Sequence, residues 1–396
     1  MSNFNNARFV GTSVYGLRMP IITEGDDISN IIANTVLETR KSSYQPLTIN
    51  NGDIVAITES FLARSQGNYV TLDDIANDIK QKFPKGDVGV AFPILSRNRF
   101  AKILEGISRG TEGKVYVFLS YPTDEVGNAI MDEEKLYDTN INPYTDIITK
   151  QEFRTRFGTF HHPITGSDHI KMYEDISPKI EVILLNNPKD ILKYTNQVIV
   201  SSIHIRKRQK NILEKEGAIA YTLDEILNTP STFHGWSEYG VLGSNYSNET
   251  KLKLFPRDSF AFCQNLQTLL KQKTGKHLEV MIYGDGGFKC PKTKIWEFAD
   301  PVVSPGYTEG LKGMPNEIKI KAVADNNSSN PKEAIKKAIA NKNSGDDFYS
   351  IGTTPRQITD LLGSLCDLTT GSGEKGTPVV YIKGYFDNYL QPAPKD

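Results

Sequence analysis

Cysteine is scarce in this chain. Only Cys263, Cys290 and Cys366 occur, and no two stand in a C-x-x-C pair. That spacing excludes a zinc knuckle and a disulfide framework, and the odd count favours free thiols in a reducing compartment. Long apolar runs are also missing. None approaches the roughly 18 residues that span a bilayer, and the polar, Asn-rich N-terminus has no apolar signal core. The expected location is therefore the cytoplasm. An excess of one charge is missing too: the formal net charge is -1, so bulk electrostatics call for neither nucleic acid nor a membrane surface as partner. No G-x-x-x-x-G-K-[ST] loop and no G-x-G-x-x-G after a strand is present, which disfavours a Walker-type or Rossmann dinucleotide site. No G-x-S-x-G elbow or Cys/His arrangement points to covalent hydrolysis.

What is present is a composition of a folded protein, 38% hydrophobic and 23% charged over 396 residues, enough for two or three domains. Short β-rich runs alternate with helical patterns, so the fold class is α/β, mixed α+β. Strands are expected over 8–15, 53–58, 114–120, 180–185, 197–203, 277–283, 318–323 and 377–383. Helices are expected over 27–38, 72–82, 97–106, 188–195, 205–215, 259–273, 331–341 and 355–368. Asp27 is a natural N-cap, followed by Ile28, Ile31, Ile32 and Val36 at helical spacing. Residues 325–330 and 341–347 read as loops. The basic run Arg206, Lys207, Arg208 and Lys210 reads as a solvated helix face, with a phosphate site as the other reading. His161, His162 and His169 lack the acid or cysteine spacing of a metal site.

Five segments can carry chemistry. In the first, Pro20, Ile22, Gly25, Asp26 and Asp27 lie between a strand and a helix whose N-terminal N–H groups can hold anionic atoms. The plain alternative is a turn with an N-cap. In the second, a buried strand runs into a polar loop with Arg64 and Gly67, and Arg64 is either a bidentate phosphate ligand or a surface arginine. The third, around Gly243, Asn245 and Asn248, can ring a nucleotide or a metal-bound water, or form an Asx-rich loop. The fourth places Asp285 at the end of an apolar strand among Gly284, Gly286 and Gly287, a favoured position for a Mg²⁺ or Mn²⁺ ligand facing phosphates, with a mere turn as the plain alternative. Asp300 is a second candidate acid, or a turn-forming aspartate before Pro301. The fifth is a glycine-rich loop, Gly371, Gly373, Glu374, Lys375 and Gly376, whose N–H groups can form an anion nest.

In this order the five segments resemble the γ-glutamyl ligase family of the deazaflavin coenzyme F-420. Pro20, Ile22, Gly25, Asp26 and Asp27 match its P-x-I-x-x-G-D-D segment. Ala63-Arg64-Ser65-Gln66-Gly67 matches S-K-x-E-G with the acid replaced by an amide. Asn245 stands where the family carries a metal-binding aspartate, in a segment ending at Asn248. Asp285 and Asp300 match two family acids, while Gly286 replaces a threonine. The loop from Gly371 to Val380 matches closely. The resemblance covers 9–90 and 238–384.

The resemblance implies a ligase-like core of 1–95 and 236–396, interrupted by an α/β lobe of 96–235. It implies a GTP-dependent acid–amine ligase with Mg²⁺ or Mn²⁺ that adds L-glutamate to a small acidic acceptor of coenzyme F-420-0 type through an acyl phosphate. Folate or another metabolite is the alternative acceptor, and a nucleotide-binding homologue without catalysis is the alternative class. Asp285 and Arg64 are the implied catalytic residues. Asp285, Glu374 and, through water, Asn245 would hold metal. Pro20, Ile22, Gly25, Arg64, Asn248, Gly371, Gly373, Lys375 and Gly376 would contact nucleotide. A homodimer is implied as well.

Overall fold

The computed structural model describes residues 10–95, 100–162, 165–284, 287–289, 296–298, 304–315, 317–341, 356–370 and 373–388. The chain is mixed α/β and divides into two compact units. The first is Met1–Ser65, Asp258–Gly286 and Val302–Asp396, and the second is Gln66–Arg257 with Gly287–Pro301.

The first unit is built on a five-stranded sheet in which sequence-distant strands are neighbours. Ile54–Thr58 pairs with Val379–Lys383 on one side and with Glu279–Tyr283 on the other. Ser13–Leu17 and Gly306–Tyr307 complete its edges. Ile54–Thr58 is an apolar run because both of its faces are covered. Val55 and Ile57 enter one core with Ile32, Val36, Leu266 and Leu270 of helices Ile28–Glu38 and Ser259–Thr274. Ile54 and Ala56 enter another with Leu362 and Cys366 of helix Ile358–Thr370. Helix Ile28–Glu38 begins where its sequence says: the Asp27 carboxylate accepts from the Asn30 N–H at 3.1 Å, and Ile28, Ile32, Ala33 and Val36 form the buried stripe.

The second unit holds a six-stranded sheet, ordered from edge to edge as Ile148–Thr149, Ile180–Leu184, Val115–Leu119, Val88–Ala91, Gln197–Val200 and Ile219–Thr222. Only Ile148–Thr149 runs antiparallel to its neighbour. Side chains alternate strictly between two layers. Val88, Val90, Val117 and Ile199 face Ile79, Leu104 and Ile170, whereas Ala91, Phe118, Val198 and Val200 face Ile191 and Leu213. Helices thus cover both faces, as a parallel sheet requires. A smaller sheet joins Asn245–Tyr246, Lys251–Lys253 and Tyr69–Thr71.

Several expected elements differ. The run 318–323 was expected as a strand but contains the start of a helix, Ile320–Asp325. Its isoleucine–lysine alternation is short, and Ala322, Val323 and Ala324 continue as a helix that packs on Pro331–Ala340. Residues 188–195 form a tight 3₁₀ turn, Pro188–Lys193. The loop expected to carry Arg64 is the helix Glu59–Ser65. Val88–Ala91 lies at the centre of the second unit's sheet, and the compact division runs at 65/66, 257/258, 286/287 and 301/302. No helix among the described residues is long and apolar enough to cross a membrane.

Candidate functional site

The register of the five-stranded sheet brings three of the five motif-bearing segments to one end of its strands, and the strand that leads into the fourth, Glu279–Tyr283, ends there too. Leu17 pairs with Val379, Val379 with Ile57, and Tyr283 with Thr58. Leu17, Val379 and Ile57 stand in one row across the sheet, with Thr58 and Tyr283 one residue further along. The segments that follow Leu17, Thr58 and Tyr283, and the one that precedes Val379, therefore all leave the sheet at the same end. Polypeptide hydrogen bonds tie them together. The Met19 N–H donates to the Gly376 carbonyl at 3.0 Å, Thr58 N–H to the Pro378 carbonyl at 2.9 Å, and Gly25 N–H to the Ser65 carbonyl at 2.8 Å. The Tyr283 hydroxyl donates to Thr370 Oγ1 at 3.3 Å, linking the strand end to the helix that leads into the glycine-rich loop.

In the first segment Pro20 and Gly25 are exposed and Ile22 is buried. Gly25 has φ +89, a left-handed conformation that side chains resist, and it closes the turn. Asp26 accepts from Thr23 N–H at 2.7 Å and Thr23 Oγ1 at 3.0 Å. Asp27 caps the helix, and the Asn30 side chain that donates to it holds its carboxyl below the usual range. Both aspartates thus shape the turn and the helix start.

Arg64 is on the exposed side of helix Glu59–Ser65, while Phe61, Leu62 and Ala63 are buried. Its guanidinium has no hydrogen-bond or ion-pair partner among the described residues, and neither does that of the exposed Arg18. In the fifth segment, Gly373, Glu374 and Lys375 form one exposed turn. Gly376, with φ +65, closes it by donating to the Gly373 carbonyl at 3.1 Å. The Glu374 carboxylate and Lys375 ammonium are likewise unpartnered among the described residues. The edge thus offers cations on three segments and one open carboxylate. Asp285, Gly286, Asp300 and Gly371 lie outside the described residues.

Asn245 and Asn248 belong to the second unit. Asn245 pairs with Lys253 in a short hairpin. The Asn248 side-chain oxygen accepts from Thr250 N–H at 3.0 Å and Lys251 N–H at 2.9 Å, an Asx turn that closes that hairpin. In the basic run of the same unit, Arg206 is tied to Asp224 at 2.8 Å and Lys210 to Glu225 at 2.6 Å. Lys207 and Arg208 are exposed and unpartnered among the described residues. His169 is buried beside His162 and Tyr173, and no group of three His, Cys, Asp or Glu gathers among the described residues.

Sequence reasoning missed Arg18 and the helical setting of Arg64. The signal for the helix was present: Ser60 precedes the apolar triplet Phe61-Leu62-Ala63, which a polar loop does not need.

A mixed sheet with open charged groups along one edge defines an α/β protein with a surface suited to charged small molecules. More particularly, the model of the F420-0:gamma-glutamyl ligase family matches residues 16–384, and the chain belongs to that family. The match runs through both compact units. It makes the protein a member of a ligase family that joins glutamate through an amide bond. No curated protein matches the sequence.

Proposed function

We propose that the protein is a GTP- and divalent-metal-dependent ligase that adds L-glutamate to the carboxylate of a small acidic acceptor of coenzyme F-420-0 type. The observation that supports this reading best is the convergence of the Pro20–Gly25, Arg64 and Gly373–Gly376 segments on one end of a sheet whose strand Glu279–Tyr283 leads towards Asp285. In the reaction an acceptor carboxylate oxygen attacks the γ-phosphorus and GDP leaves. The glutamate amine then attacks the acyl carbon, loses a proton, and phosphate leaves. Little covalent work falls to the protein, which must position the reactants and neutralise charge.

Arg64 and Lys375 supply that positive charge, and the backbone of Gly373 and Gly376 lets phosphate oxygens approach closely. Asp285 and Glu374 would hold Mg²⁺ or Mn²⁺. The donor set fits: carboxylate oxygens suit hard cations, and Glu374 has its oxygens uncommitted. Mg²⁺ commonly takes only one or two carboxylates, completing its shell with phosphate and water. When bound, the ion neutralises charge on the transferring phosphoryl group. A cytoplasmic homodimer is part of this proposal.

The test is release of GDP and phosphate with each component omitted in turn. Turnover that needs glutamate, acceptor and metal together supports the ligase. One observation favours a nucleotide-binding homologue without catalysis, namely Asn245 at the position of the family's aspartate. Metal-dependent GDP binding without glutamate-dependent phosphate release identifies that alternative.

A further inference from the structure

In the second unit the strand order hides a change of direction. From the central strand Val88–Ala91 the chain moves outward to Val115–Leu119 and then Ile180–Leu184. It then returns past its starting point to place Gln197–Val200, and next Ile219–Thr222, on the other side of Val88–Ala91. Connections leaving the carboxyl ends of Val88–Ala91 and Gln197–Val200 therefore diverge. In open parallel sheets with helices on both faces, such a divergence opens a crevice in which ligands bind. The ends of the two strands meet there: the N–H of Ser201, the first residue past Gln197–Val200, donates to the carbonyl of Ala91, the last of Val88–Ala91, at 2.7 Å.

Three observations describe the chemistry at this point. The Ser201 hydroxyl is buried, at 2% residue exposure, and has no hydrogen-bond partner among the described residues. A buried polar atom left unsatisfied in this way calls for an absent partner. Next, helix Arg206–Lys215 starts without a side-chain cap and with no acid in its first turn. Arg206, Lys207 and Arg208 occupy that turn, where the helix dipole disfavours cations. Asp224 neutralises Arg206, while Lys207 and Arg208 have no counter-charge among the described residues. Finally, the N–H groups of Ile203 and His204, just before this helix, both donate to the Glu125 carboxylate, His204 at 3.1 Å. That carboxylate comes from the loop after Val115–Leu119. The backbone here already holds an anion, and it is one of the chain's own.

We infer that the second unit binds a phosphate-bearing small molecule at the divergence of Val88–Ala91 and Gln197–Val200. Its phosphate competes with Glu125 for the Ile203 and His204 N–H groups and pairs with Lys207 and Arg208. The residues behind this inference belong to the second unit and those of the proposed ligase site to the first, and the inference does not depend on that reading.

Inorganic pyrophosphate is the probe, titrated into the full chain with divalent metals chelated. Hydrogen exchange then reports which amides it protects. Slowed exchange over 203–208 is expected. The Lys207→Ala, Arg208→Ala double variant should bind about tenfold more weakly through loss of two charge-assisted contacts. Glu125→Gln keeps the shape and removes the competing charge, so it should bind severalfold more tightly. Ser201→Ala should melt as the native protein does, because it removes an unpaired group, yet bind more weakly. Glycerol phosphate run beside pyrophosphate separates an organic phosphate from an inorganic anion by which binds tighter. Protection confined to other segments, or equal affinity in the native protein, the double variant and Glu125→Gln, overturns the inference.

Discussion

The Tyr381 hydroxyl donates to the Asp53 carboxylate at 2.6 Å, joining residues 328 positions apart at the end of the sheet opposite the proposed site. Asn50 and Gly384 N–H groups donate to the same carboxylate at 2.8 and 3.1 Å. Asp53 is almost fully buried, and burial pushes its carboxyl above the usual range despite these donors. Tyr381 is pushed up as well, first by burial and then by the Asp53 charge. Removing the hydroxyl in Tyr381→Phe leaves a buried carboxylate short of a donor. It should cost about 1–3 kcal/mol in a urea melt. The sign with pH follows from the raised value. The native state holds the proton more firmly than the unfolded chain, so this group's contribution is full below about pH 4. It is lost as pH rises through the native value. The variant should widen that loss, and equal slopes of stability against pH in both proteins would count against the assignment.

His169 has the opposite sense. Burial first, and the His162 ring second, lower it from the ordinary value to about 4. The unfolded chain takes up the proton at higher pH than the native one. Stability is complete above about 6.5 and falls as pH drops towards about 4. At most about 3 kcal/mol is involved. His169→Phe, which keeps a flat ring in the apolar site, should lose much of that acid sensitivity.

Arg64→Ala separates binding from folding. With no partner among the described residues and an exposed side chain, its loss should change stability by less than about 0.5 kcal/mol. GTP affinity should fall about tenfold if the guanidinium meets phosphate. An unchanged dissociation constant would return Arg64 to an ordinary surface residue.

Gly25→Ala tests the turn. Nothing lies near a Cβ at this position, so the cost is backbone strain at φ +89. About 1 kcal/mol or more of destabilisation is expected. The Gly25–Ser65 hydrogen bond should loosen with it, and nucleotide affinity should drop together with melting temperature.

Asp285→Asn and Glu374→Gln keep side-chain shape and remove charge. Each should fold as the native protein does and lose Mn²⁺-dependent nucleotide binding. The comparison is affinity with and without Mn²⁺ in all three proteins. Identical metal dependence would remove both acids from the metal proposal.

Where local pattern and burial agree, the sequence by itself determined the element. Helix Ile28–Glu38 was legible because its cap and apolar stripe lie within a dozen residues, and Ile54–Thr58 because a fully covered strand must be apolar throughout. The mixed α/β class and the family motifs were legible for the same reason. Val88–Ala91 was not: four residues with a glycine carry little local preference, and only pairing with Val115–Leu119 and Gln197–Val200 makes them the centre of a sheet. Ile320–Asp325 went the other way, a brief alternation overruled by its helical neighbour. The candidate site depended most on tertiary structure. That Pro20–Gly25, Arg64 and Glu374 share an edge follows from the register of Val379 against Ile57 and Leu17. Register between strands more than 300 residues apart is set by which faces bury together, and no local pattern encodes that.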